Sequence, residues 1–114
     1  MVRWLVEAGV DVNKANNDGA TPLYVAALNG CEAVVRGLVA AGANVNKAKN
    51  NGWTPLHIAA LNGCKAVVRG LVDAEADVNK ENNDGATPLY VAARKRHHAI
   101  ARLLRDRARR LLMW

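Results

Sequence analysis

Phenylalanine is absent from this chain of 114 residues, and only Trp4, Tyr24, Trp53, Tyr90 and Trp114 are aromatic. A core built on large rings is thereby excluded, and burial has to come mainly from Ala, Val and Leu at close approach. Only two cysteines occur, Cys31 and Cys64. No uncharged run approaches the ~18 residues that a membrane span needs. MVRWLVEAG, with an acid at Glu7, does not read as a signal peptide, and there is no Asn-x-Ser/Thr sequon. These absences favour a reducing compartment and lead us to expect a cytoplasmic chain, with the nucleus as the alternative.

Motifs of catalysis are missing as well. The sequence holds no G-x-x-x-x-G-K-[ST], no G-x-G-x-x-G, no H-E-x-x-H, no C-x-x-C and no G-x-S-x-G. We therefore expect no enzyme and no cofactor. The composition, 51% hydrophobic and 23% charged, is that of a chain that folds, and its length is that of one domain.

What the chain does have is repetition. TPLYVAALNG at 21–30 recurs as TPLHIAALNG at 54–63 and as TPLYVAARKR at 87–96, each copy starting 33 residues after the last. A fixed period in the thirties points to stacked helical units that share a continuous core. Between 13–45 and 46–78, 24 of 33 positions are identical, which implies recent duplication or consensus building. MVRWLVEAGVDVN at the start aligns with VVRGLVAAGANVN at 34–46, so the chain opens in the second half of a unit. The expected layout is a single domain over 1–114: a half unit at 1–12, units at 13–45 and 46–78, and a basic capping unit at 79–114.

Within each unit the punctuation is local. Thr21 before Pro22 is an N-cap followed by proline where a missing N–H costs nothing, and the apolar run Leu23 to Leu28 stops at Gly30. A second helix is predicted over 32–41, with Val34, Val35, Leu38 and Val39 at helical spacing and Gly42 as a left-handed stop. An Asn-rich finger follows and turns at Asn51-Gly52, a pair that accepts positive φ cheaply.

These segments resemble the ankyrin repeat: NGWTPLHIAALNG at 51–63 and AGANVN at 41–46 carry its finger, first helix, glycine turn and closing G-A-D-V-N. The resemblance implies an all-α repeat fold, an α-solenoid of helix-turn-helix units with β-hairpin-like fingers. It further implies a non-catalytic protein-binding module whose fingers and first helices line a concave face. On that face the resemblance places Leu28, Asn29, Leu61, Asn62, Arg94 and Lys95 from the helices. From the fingers it adds Asn17, Asp18, Asn50, Asn51, Asn83 and Asp84. A partner that is acidic or mixed in charge suits the drift from neutral to basic along that face.

Departures from the pattern carry their own expectations. Gly37 and Gly70 interrupt the second helix, where glycine costs ~1 kcal/mol relative to alanine, and close packing is the expected reason. Glu75 replaces the stop glycine seen at Gly42, which predicts a weak turn at 73–79, because a left-handed side chain costs ~1–2 kcal/mol. Tyr24 and Tyr90 replace the signature histidine kept as His57, so a family hydrogen bond is expected to be missing from two units. Trp53 is expected at the finger tip, in the column where the neighbouring units have Ala20 and Ala86. It is expected either to contact a partner, as tryptophan often does, or to pack down on its own finger over the Lys49 stem.

Cys31, Cys64 and His97 occupy one column of the repeat. Neighbouring helices pack about 8–10 Å apart, beyond the ~7 Å between Cα atoms that a disulfide tolerates, so free thiols are expected. Zinc needs its ligands ~2.0–2.3 Å from one point, so no metal site is expected there.

Charge is concentrated at one end. The net charge is +6, yet Arg94–Arg110 holds eight Lys/Arg against Asp106 alone, and the remainder is slightly negative. Arg94, Lys95, Arg96, Arg102, Arg105, Arg107, Arg109 and Arg110 form either a polar cap or a patch for nucleic acid or another anionic surface. An engineered or repeat-derived scaffold without a native partner is a third reading, consistent with the near-identical units. Trp4, Leu111, Leu112, Met113 and Trp114 at the two ends also suggest end-to-end self-association.

Overall fold

The computed structural model describes residues 11–112, in which six helices follow one another: α1 (Pro22–Leu28), α2 (Glu32–Ala40), α3 (Pro55–Asn62), α4 (Lys65–Asp73), α5 (Pro88–Arg94) and α6 (His98–Leu112). The odd-numbered helices start alike. Thr21, Thr54 and Thr87 hold extended backbone at the N-cap, and each side chain accepts a hydrogen bond from the N–H three residues on. Proline then occupies the first turn. α3 has the fullest start, because His57 Nδ1 also accepts from the Thr54 N–H, completing a reciprocal capping box.

Stacking puts the helices in two rows. α1 packs on α3 and α3 on α5, while α2 packs on α4 and α4 on α6. Between the rows lies the core, in which Leu23, Leu38, Leu56, Leu71 and Leu104 are at most 1% exposed. Full burial of a leucine is worth about 1.5–3 kcal/mol, so this column is a principal source of stability. Ala27, Ala59, Ala60 and Ala92 are fully buried, and their small side chains bring the first helices close together. The expected stripe on α2 is present, with Val35 and Leu38 buried and Val34 and Val39 packed against the core at its edges.

No strand forms among the described residues, yet each finger closes as a hairpin does. The N–H groups of Asn16, Lys49 and Asn82 donate to the carbonyls of Ala20, Trp53 and Ala86 at 2.9, 2.8 and 2.9 Å. Successive fingers are then stitched together. Asn50 donates its backbone N–H to the Asp18 carbonyl at 3.0 Å and its Nδ2 to the Asn17 carbonyl at 3.3 Å. Asn83 does the same to Asn51 and Asn50, at 3.1 and 3.0 Å. Gly52 is required twice over at this contact: its φ is +85°, and a Cβ there would lie 2.6 Å from the Asn83 nitrogen.

Among the described residues, two that bear side chains hold left-handed backbone. Glu75 has φ +66° where Gly42 has +95°, as its sequence position predicts. Arg96, at φ +60°, stands where Gly30 and Gly63 have +69° and +71°, a second strained turn that the sequence reading did not single out. The reason expected for Gly70 does not hold. A methyl group there would meet only the Arg36 side chain, at 3.8–4.0 Å, which is ordinary contact.

The two ends differ from the middle. Val25 on α1 is 41% exposed, whereas the equivalent Ile58 and Val91 are 6% exposed, because α1 covers α3 and α3 covers α5 but no described helix covers α1. At the other end α6 has 15 residues against the 9 of α4. At ~1.5 Å per residue it outruns its neighbour by about two turns, and Leu111 is 50% exposed. Trp4, the Leu112 side chain, Met113 and Trp114 lie outside the described residues.

Candidate functional site

On the side built from fingers and first helices, the second and third units enclose a groove of about 680 Å³. Trp53 and Leu61 form one wall; Tyr90, Val91 and Arg94 on α5, with Lys95 at its C-cap, form the other; and Asp84 on the third finger closes one end. Apolar and aromatic walls with charges of both signs at the margins are the makings of a peptide site.

Trp53 is not at the finger tip. The tip is the turn at Asn50 to Gly52, and Trp53 lies on the returning arm, half-buried, with its N–H donated to Asn51 Oδ1 at 3.0 Å. Its ring lies 5.6 Å from that of His57 at an interplanar angle of 49°. The Lys49 stem goes elsewhere: its Nζ sits 5.2 Å from the centroid of the Tyr24 ring. Trp53 therefore packs on the first turn of its own helix while its outer face lines the groove.

The facing wall is ordered by one arginine. Arg94 donates from a guanidinium nitrogen to the Tyr90 hydroxyl at 3.1 Å, and its Cζ lies 5.8 Å from that ring's centroid. Tyr90 is 52% exposed while Tyr24, its equivalent, is 6% exposed. The difference is positional, since the following unit covers Tyr24 and no described unit follows Tyr90. From sequence Tyr90 reads only as a lost histidine; its exposure comes from the lack of a covering unit among the described residues.

Behind the groove, His57 is fully buried and its ring is fixed from both sides. Nδ1 accepts from the Thr54 N–H at 3.1 Å and lies 2.8 Å from Thr54 Oγ1. Because Nδ1 accepts, Nε2 carries the proton and donates to the Ala86 carbonyl of the next finger at 2.8 Å. Burial lowers the His57 pKa, the Ala86 bond opposes that in part, and the Lys80 charge adds to the lowering. Tyr24 makes no corresponding bond among the described residues, and Tyr90, which no described finger follows, accepts from Arg94 instead. Burial raises the Tyr24 pKa.

Of the residues proposed from sequence for partner contact, the groove gathers Trp53, Leu61, Asp84, Arg94 and Lys95. The others lie along the stack. Asn50 and Asn83 stitch the fingers, Asn17 and Asp18 offer the carbonyls that Asn50 binds, and Asn51 holds the Trp53 N–H and offers its carbonyl to Asn83. Asn62 Nδ2 donates to the Leu28 carbonyl at 3.0 Å, and Asn29 caps α1. Leu28 remains 45% exposed on the first unit.

The basic run is divided. Arg94 and Lys95 face the groove, Arg96 forms the left-handed turn, and Arg102, Arg107 and Arg110 line the gap between α4 and α6, whose lining does not include Arg105 or Arg109. Cys31 is exposed and Cys64 half-buried, both as free thiols. His97 spends Nε2 on the Leu61 carbonyl at 3.1 Å. Among the described residues no three His, Cys, Asp or Glu side chains are placed to hold a metal ion, and no helix is long and apolar enough to cross a membrane.

A family model described as ankyrin repeats (3 copies) matches residues 1–49 and 38–110. A comparison with curated proteins found no match.

Proposed function

The chain belongs to the ankyrin-repeat family, whose members generally serve as protein–protein interaction modules rather than catalysts, and from that premise we propose that it binds a peptide segment of a partner protein in the groove between Trp53 and Tyr90. The segment would place an apolar side chain between the two rings and a carboxylate against Arg94 and Lys95. Rigid stacking fixes both walls before the partner arrives, so little entropy is lost on docking. The observation that carries this reading is the exposed Tyr90 ring, braced by Arg94 and set across the groove from Trp53.

The test is capture from a cell extract with wild-type protein and Trp53→Ala side by side. A hot-spot tryptophan is worth ~2 kcal/mol or more, so partner recovery should fall at least tenfold. Since Trp53 also packs on His57, Arg94→Ala, at an exposed position, is run in parallel with an unfolding curve for each variant. Undiminished capture by both variants would refute the assignment. Loss confined to Trp53→Ala together with lowered stability would reduce Trp53 to a packing residue.

A further inference from the structure

The row of second helices carries a groove of its own. Between α4 and α6 a cleft of about 340 Å³ is walled by Lys65 and Arg69 on one side and by Arg102, Arg107 and Arg110 on the other. Val72, Ala99 and Leu103 lie between these walls, with Val72 8% exposed and Leu103 packed against the core. Asp73 and Asp106 also reach the cleft, yet neither is within ion-pair distance of the five cations. Among the described residues the one ion pair joins Arg36 to Glu32 on α2. Among the described residues, then, none of the five cations flanking the apolar strip has a carboxylate within ion-pair distance. Lys65 and Arg69 are one helical turn apart and Arg102 and Arg110 about two, so the charge runs along the cleft rather than gathering at a point.

The lining discriminates between anionic partners. Among the described residues no aromatic side chain borders the cleft, so unpaired bases find no stacking platform there. A duplex presents a phosphate charge every ~1.7 Å along its axis, and Asp73 and Asp106 would lie against that continuous charge. A peptide helix can place its acids opposite the arginines and its apolar edge on the strip between them, and a gap between equivalent helices of successive units accepts a third helix as a ridge enters a groove. Arginine, which supplies four of the five cations, also favours carboxylate through its paired N–H geometry.

We propose that the α4–α6 cleft docks an acidic amphipathic helix of a partner protein. It does so independently of the Trp53–Tyr90 groove on the opposite row. The probe is a fluorescein-labelled helical peptide with glutamate along one edge and leucine along the other, followed by anisotropy at low and physiological salt. Arg69→Glu combined with Arg110→Glu should weaken binding about tenfold, the scale of losing two exposed charge pairs and gaining like-charge repulsion. Arg105→Glu combined with Arg109→Glu changes the net charge equally and reverses as many cations on α6 or beside it, but outside the cleft; it should leave affinity within about twofold. Circular dichroism confirms that each variant is folded. Equal loss in both pairs, tighter binding of a DNA duplex that displaces the peptide, or no peptide binding by the wild type at low salt would each overturn the proposal.

Discussion

Replacing His57 by phenylalanine keeps a ring beside Trp53 but removes both nitrogens, and the structure sets the size of the effect. The Nε2–H bond to the Ala86 carbonyl, at 2.8 Å, is lost; a bond of this kind contributes about 1 kcal/mol net. Losing Nδ1 leaves the backbone N–H of Thr54, a residue only 2% exposed, without its acceptor. An unsatisfied buried donor costs about 1–3 kcal/mol, so the total is about 2–4 kcal/mol, a large share of the ~5–15 kcal/mol that holds a domain folded. The pH dependence is a second, independent readout. With the folded pKa lowered below the ordinary imidazole value of about 6.5, both states are neutral above that pH and the full stability is present. Below it the unfolded chain takes up a proton that the folded one resists, so stability falls with pH until the folded pKa is passed. Urea unfolding followed by far-UV circular dichroism, from neutral pH down to about pH 5, measures both effects. The reasoning fails if His57→Phe costs under about 0.5 kcal/mol, or if the variant loses stability in acid as steeply as the wild type.

Gly70→Ala should stabilise the fold by up to about 1 kcal/mol, because the methyl finds ordinary contact with Arg36 and the helix gains propensity. Thermal unfolding should show a rise of about 4 °C, and a fall would mean that α4 cannot take the methyl. Glu75→Gly and Arg96→Gly relieve left-handed strain of ~1–2 kcal/mol, less up to ~1 kcal/mol from the freer unfolded chain. Each should therefore raise the melting temperature modestly; no change in either variant would show that these turns are not strained.

Much of the architecture was legible because it is written locally. Thr-Pro at each helix start and Asn-Gly at the finger are short-range instructions, and the period of 33 says that whatever one unit does the next repeats. Less legible were the residues whose contacts depend on the neighbouring unit. Asn50 and Asn83 look like solvent-facing polar residues until the adjoining finger is in place to receive their N–H groups. Trp53 was placed at a tip, because only the fold shows that the finger has already turned back towards His57. Gly70 resembles a packing glycine in sequence, yet Arg36 leaves it room. In the basic run, linear order groups eight cations that the end of α5, the turn at Arg96 and α6 then send to different sides. Lys65 and Arg69, more than thirty residues before Arg102 in the chain, join it only through stacking.

The finger stitching also has a polarity. Every step runs the same way, with asparagine giving and the preceding backbone receiving, so the two termini of the ladder make unequal demands on anything grafted to them. A unit added ahead of Asn17 must bring carbonyl oxygens, which any sequence supplies, and a glycine at the place of Gly19 and Gly52, where a Cβ would strike the incoming asparagine. A unit added beyond Asp84 must carry its own asparagine at the matching position, or the new joint will lack the side-chain half of each rung.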